Sequence, residues 1–177
     1  KRLEQIIEAV SLVAHKKGQG SVRLTIVGDA PLKEHQKYRK QLEKQVEELG
    51  LSKVVRFVGA VPYDEVPKYY KEADLMVNVS DTGSVDKAVL EAFMTGLPVL
   101  ALETGYFEVF DKMPAGHKCS LKSDDPEEVA EKIETFMSFS YLQRSELGKF
   151  WADSVAIRYG LKNFVKKVLI IRDNLVS

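Results

Sequence analysis

What this chain lacks narrows it first. It has a single cysteine, Cys119, so no internal disulfide can form and no cysteine cluster can hold a metal. That usage fits a reducing compartment and points to the cytoplasm. Its three histidines, His15, His35 and His117, stand in none of the patterns of a metal site or catalytic triad. Neither sign of charge is in excess: 26 Lys and Arg balance 26 Asp and Glu. A neutral chain is a poor holder of nucleic-acid backbone or of an anionic membrane surface. No run of about eighteen apolar residues exists, so no segment reads as a membrane span. There is no signal peptide, and the first residue is Lys1 rather than Met, which reads as a piece of a longer protein. Internal repeats, low-complexity stretches and interior linkers are also missing. What remains is 177 residues, 45% of them hydrophobic, enough for one compact domain over 1–177 with a full core.

The apolar periodicity alternates between helix and strand. Residues 2–17 carry Leu3, Ile6, Ile7, Val10, Leu12 and Val13 on a helical face, stopped by Gly18 and Gly20. Val22 to Val27 reads as a strand, and Gly28 to Pro31 as a turn into a charged helix over Leu32 to Leu49. Val54 to Val58 is a second strand, with a loop from Gly59 to Pro62 and a helix from Asp64 to Glu72 despite Pro67. Leu75 to Val79 and Pro98 to Leu102 are strands around a helix near Val85 to Met94. Gly105 to Lys112 reads as a short helix and His117 to Leu121 as a last strand. Ser123 to Glu128 is a helix start, with an N-cap candidate, an early Pro and acids in the first turn. Helices follow over 126–138, 141–157 and 161–174. Such alternation predicts an α/β fold: a doubly wound parallel sheet of about five to six strands, helices on both faces, and a helical tail. Ligands of these sheets bind at the carboxyl ends of the strands. Four loops fall there: Gly28 to Pro31, Gly59 to Pro62, Ser80 to Ser84, and Glu103 to Phe107.

The third of those loops organises the reading. A small-residue segment, Ser80-Asp81-Thr82-Gly83-Ser84, runs from a buried strand into a helix N-terminus. Backbone N–H groups can approach a ligand closely there, and the helix dipole favours an anion. Asp86 and Lys87 open the helix, and Glu91 lies one turn below Lys87 on the same face. A cation near an anion cradle with a carboxylate behind it suits a ligand carrying both phosphate and hydroxyls, as a nucleotide sugar does.

Four motifs then stand in register: VGDAP after the first strand, VRFVGAVP (Val55 to Pro62), ADLMVNVS (Ala73 to Ser80) and LEAFMTGLPVLA (Leu90 to Ala101). Together they resemble the C-terminal, donor-binding domain of the retaining glycosyltransferases of family four, fold type GT-B (glycosyl transferases group 1). The likeness covers nearly the whole chain. It implies a Rossmann-like domain binding a UDP-, GDP- or ADP-linked sugar, facing an N-terminal acceptor domain that is not part of this sequence. It implies that Glu91 is the second glutamate of a Glu-x7-Glu motif and hydrogen-bonds the ribose hydroxyls. Val61 falls where backbone groups meet the base, Gly28 lies in the first loop, and Lys1 matches a lysine that grips the diphosphate. No metal or other cofactor is implied, since no Asp-x-Asp arrangement lies near the cradle. Peripheral membrane contact would belong to the N-terminal half.

One position departs from that pattern. The first glutamate of the motif should stand eight residues before Glu91, where this chain has Gly83, followed by Ser84, Val85, Asp86 and Lys87. That glutamate contacts the transferred sugar, so no catalytic residue can be carried over there. Asp86 is a candidate to take over a sugar hydroxyl, although a carboxylate in the first turn repels phosphate unless it points away. In a retaining transferase negative charge develops on the leaving diphosphate, and Lys1, Lys87 and the N–H groups of Ser84 to Asp86 are the candidates to meet it. Four outcomes stay open: a transferase, a nucleotide-sugar-binding module without activity, a GT-B nucleotide-sugar epimerase, and a plain interaction module on a doubly wound sheet. Plainer roles stand beside these. Lys87 and Glu91 have the spacing of a surface ion pair, Cys119 reads as a packed thiol, and Trp151, with Phe150, Ile157 and Tyr159, as core or interdomain packing.

Overall fold

The computed structural model describes residues 2–29, 33–80, 86–102 and 118–159. The expected short helix over Gly105 to Lys112, the loop from Glu103 to Phe107 and the helix over 161–174 lie outside them.

The first helix, α1 (Leu3–Lys17), buries Ile6, Ile7, Ala9, Val10, Val13 and Ala14. That spacing is a single helical stripe, and Leu12 falls off it. Leu12 is 40% exposed, a correction to the expected apolar face. Gly18 ends the helix with φ +97° and an N–H donated to the Ala14 carbonyl. β1 (Leu24–Val27) leads to α2 (Lys33–Glu48), which buries Leu42 and Val46 at i, i+4 and leaves most of its remaining described side chains exposed or half-buried. β2 (Val55–Gly59) and α3 (Val66–Glu72) follow. Pro67 sits in the first turn of α3, where its missing N–H has no intrahelical partner to lose, so it starts the helix rather than breaking it. β3 (Met76–Asn78), α4 (Lys87–Met94), β4 (Val99–Leu102) and β5 (Ser120–Leu121) make the second half. The described chain ends in α5 (Pro126–Met137) and α6 (Tyr141–Tyr159).

Every named strand pairs in parallel, as alternation predicted. The described residues form two sheets rather than one, β1–β2 and β3–β4–β5. Cover distinguishes them. β4 is buried at all four positions, as a strand packed on both faces must be. β1 alternates half-buried and exposed, with Val27 turned outward.

The helices pack in two layers: α1 lies against α2 and α5, and α4 against α6. Close backbone approach sets the second contact. Gly96, at φ +75°, ends α4, and a Cβ added to Gly148 of α6 would lie 2.0 Å from the Gly96 carbonyl oxygen. Beside that crossing Phe93 and Trp151 stack face to face, ring centres 4.1 Å apart and 7° from coplanar. Trp151 is thus core, one of the two roles expected of it. The start of α5 is doubly fixed. Asp125 accepts the N–H of Glu127 at 2.9 Å, and Glu128 reaches back to accept from Lys122 N–H, Ser123 N–H and the Ser123 hydroxyl.

Candidate functional site

The carboxyl ends of β1 and β2 are tied by glycines. The N–H of Gly28 donates to the Gly59 carbonyl at 2.8 Å, with φ +129° at Gly28 and +85° at Gly59. Both conformations are strained for a residue with a Cβ. Val61 is half-buried in the loop that leaves β2, and Tyr63 two residues on is exposed.

Beyond β3 the chain turns on Asn78, a buried polar residue closing an apolar strand. Its Oδ1 accepts the Ser80 N–H at 2.9 Å, and its Nδ2 donates to Asp86 Oδ2 at 3.2 Å. The other oxygen of Asp86 accepts the Ala88 N–H at 3.1 Å. Asp86 is therefore the N-cap, and α4 begins at Lys87 rather than near Val85. This corrects two expectations. Asp86 is outside the first turn, and its carboxylate is folded onto the helix start, where it takes one of the N–H groups an anion would use. Sequence favours Asp at this position for that reason.

One turn into α4, three side chains converge on Glu91. The Tyr63 hydroxyl donates to Oε1 at 3.1 Å, and the Lys87 ammonium stands 3.5 Å from the same oxygen. The Tyr70 hydroxyl, on α3, lies 3.1 Å from Oε2 and 3.2 Å from the Ala88 carbonyl, so its one proton is shared between them. Lys87 also lies 4.6 Å from the centre of the Tyr63 ring, a cation–π distance. Burial and the Glu91 charge push the Tyr70 hydroxyl well above its ordinary pKa, so it stays a donor. Tyr63 and Glu91 beside it raise the Lys87 ammonium. The Glu91 side chain remains 23% exposed, so its carboxylate can still meet a ligand.

Of the residues singled out by sequence, Lys87 and Glu91 come together on α4, Asp86 caps that helix, and Gly28 and Val61 lie in the loops beyond β1 and β2. Lys1, Gly83 and Ser84 lie outside the described residues. Asn78, Tyr63 and Tyr70 were missed. Asn78 left a signal, a lone amide inside the apolar run ADLMVNVS. Tyr63 and Tyr70 left none, because their meeting with Glu91 spans 28 and 21 residues of chain.

The other reactive groups have plainer places. Cys119 is fully buried and its thiol is pushed up to about 11 by that burial. His15 Nδ1 lies 2.8 Å from the Ser11 carbonyl on its own helix. Among the described residues no three His, Cys, Asp or Glu side chains are grouped to hold a metal, and no helix is long and apolar enough to cross a membrane.

With the site in view, the chain can be set beside known proteins. The sequence profile of the family described as glycosyl transferases group 1 matches residues 1–138. D-inositol 3-phosphate glycosyltransferase of Corynebacterium urealyticum is 33% identical over 132 residues, 73% of this chain and 30% of that protein. Alpha-monoglucosyldiacylglycerol synthase of Streptococcus pneumoniae is 32% identical over 115 residues, 62% of this chain and 24% of the other. The chain thus spans less than a third of the length of these relatives. In fold it is similar to Anabaena HepE, crystallised in complex with UDP, with TM-score 0.82 and 22% identity over 98% of this chain and 45% of that one. It is also similar to the C-terminal domain of a glycosyl transferase group 1 family protein (LpcC) from Francisella tularensis. There the TM-score is 0.77 and the identity 23%, over 91% of this chain and 80% of the other.

Proposed function

This chain belongs to the group 1 glycosyl transferases and has the GT-B C-terminal-domain fold, and from that premise we propose that it binds the nucleotide-diphosphate sugar from which a partner half transfers the sugar with retained configuration. The observation that carries the reading is Glu91. It is a partly exposed carboxylate on α4, beyond the carboxyl ends of the strands, with a cation one turn above it and two tyrosine hydroxyls aimed at its oxygens. A carboxylate held in that way accepts the two O–H groups of a vicinal diol, and a lysine beside it attracts the attached diphosphate. Support for the ligand class comes from HepE, crystallised with UDP and with UDP-glucose. The acceptor, in this reading, is held by an N-terminal domain, and the protein works in the cytoplasm without a resident metal.

Gly83 favours a second reading, a nucleotide-sugar-binding module that transfers nothing, because the glutamate expected at that position is replaced by a residue without a side chain. Two assays separate them. Calorimetric titration of this chain with UDP, GDP and ADP sugars should show binding of at least one, at millimolar affinity or better, since half the cleft is formed elsewhere. The full-length protein should then transfer sugar from the donor that binds. Binding without transfer to any acceptor class would favour the module, and no binding at all would remove both.

A further inference from the structure

The two hydroxyls that meet Glu91 are held very differently. Tyr70 belongs to α3, is half-buried, and shares its proton between Glu91 Oε2 and the Ala88 carbonyl. It is tied to the frame of α4 as well as to the carboxylate. Tyr63 lies in the loop between β2 and α3 and is 68% exposed. Its hydroxyl donates to Glu91 Oε1, and the Lys87 ammonium lies 4.6 Å from its ring centre.

Those two contacts are the ones a ribose diphosphate would compete for. A vicinal diol donates its two O–H groups to the two carboxylate oxygens. Oε1 already faces both the Tyr63 hydroxyl and the Lys87 ammonium, whereas Oε2 faces Tyr70 and keeps a second lone pair open, so the diol competes with Tyr63 at Oε1. A diphosphate draws the ammonium that lies over the Tyr63 ring, because a full anion outbids a ring quadrupole for a cation. From this geometry, and resting on the donor-site reading above, we infer that Tyr63 is a displaceable competitor for the diol at Glu91, whereas Tyr70 is a fixed positioning residue that aims the carboxylate. Release of Tyr63 requires only rotation of an exposed side chain, a fast motion that leaves the backbone in place. Tyr70 does not leave, and its raised pKa keeps it a donor throughout the physiological range. The pair then sets how strongly the site prefers a ribonucleotide. Tyr63 lowers affinity for any ligand that brings a diol and is indifferent to one that does not, and Tyr70 does the reverse.

The inference is tested by titrating the chain and two variants, Tyr63→Phe and Tyr70→Phe, with UDP, GDP and ADP and with the 2′,3′-dideoxy counterpart of each. Thermal melts run alongside to show that each variant is folded. An ordinary net hydrogen bond is worth about three- to tenfold in binding, and the exposure of Tyr63 to water keeps its bond to the carboxylate in that range rather than in the higher one of a buried charged pair. Tyr63→Phe should therefore tighten the ribonucleotide that binds by about that factor and leave its dideoxy counterpart unchanged. Tyr70→Phe should narrow the preference for ribo- over dideoxynucleotide, a ratio that mere loss of stability does not move. If Tyr63→Phe weakens both ligands equally, or changes neither, the competitor role is overturned while the donor site stands. If the wild-type chain binds none of the three ribonucleotides, the donor-site reading falls and this inference with it.

Discussion

Asn78 holds Asp86 across the mouth of β3, donating from Nδ2 to Asp86 Oδ2 at 3.2 Å while its own Oδ1 fixes the Ser80 N–H. The acid at the head of α4 is thereby spent on structure. An N-cap of this type stabilises by about 1 kcal/mol, and its loss also leaves the buried Asn78 amide without its acceptor. Asp86→Ala should therefore destabilise the chain by about 1–2 kcal/mol. Asp86→Ser keeps a capping oxygen and should cost less. Chemical denaturation of both variants measures this, and unchanged stability in Asp86→Ala would show that the cap is idle.

The crossing of α4 and α6 gives a sharper steric prediction. An alanine at 148 would drive its Cβ to 2.0 Å from the Gly96 carbonyl oxygen, a backbone atom that cannot swing aside. Separating the helices would also break the Phe93–Trp151 stack. Gly148→Ala should cost about 3 kcal/mol or more, roughly 6–12 °C in Tm. Gly20→Ala is the control, since a Cβ there meets nothing within 4 Å and its backbone is not left-handed. It should be neutral or slightly stabilising. Equal melting of the two variants would refute the close crossing.

Glu128 and Cys119 each contribute to the pH dependence of stability, one on the acid side and one, together with the raised Tyr38 and Tyr70, on the alkaline side. Burial pushes Glu128 up, but the N–H groups of Lys122 and Ser123 and the Ser123 hydroxyl together hold its carboxyl below the ordinary value of 4.5. A depressed carboxylate stabilises above its unfolded pKa, and that contribution is lost as pH falls through the folded one. Cys119 is the opposite case, raised from 9.0 to about 11 by burial, so its contribution is complete below pH 9.0 and disappears as pH rises toward 11. Melting against pH should fall on both sides. Glu128→Gln should flatten the acid limb and Cys119→Ala the alkaline one. A limb that keeps its slope in its own variant would assign that titration elsewhere.

Much of this was legible in sequence because the determinants are local. The helix over 3–17 is read from its apolar stripe and its stop at Gly18, and the charged helix over 33–48 from the turn that precedes it. The start of α5 is read from Asp125, Pro126 and the acids behind them. The parallel strands followed from alternation alone. Leu12 misled because hydrophobicity was weighed without its angular position. Asp86 misled because one residue decides between a cap and a first turn: its extended backbone and the bond from the Ala88 N–H make it the cap, and Asn78, eight residues away, holds it there. The surroundings of Glu91 were hidden for the same reason at longer range. Lys87 is visible at i+4 spacing, but Tyr63 and Tyr70 arrive through the folding of a different loop and helix.

One set of affinities decides whether Glu91 and Lys87 form a ligand site or only a surface pair. UDP, GDP and ADP are titrated calorimetrically into the wild-type chain, Glu91→Gln and Lys87→Ala, with melting temperatures measured on the same samples. At least one nucleotide should bind the wild type. Glu91→Gln keeps the shape but loses charge-assisted bonds to the ribose, so affinity should fall roughly tenfold or more. Lys87→Ala should weaken the diphosphate far more than the nucleoside without phosphates, with Tm almost unmoved because the ammonium is exposed. Unchanged affinity in both variants, with a small change in melting alone, would contradict the account and leave the two residues as an i, i+4 ion pair on the surface of α4.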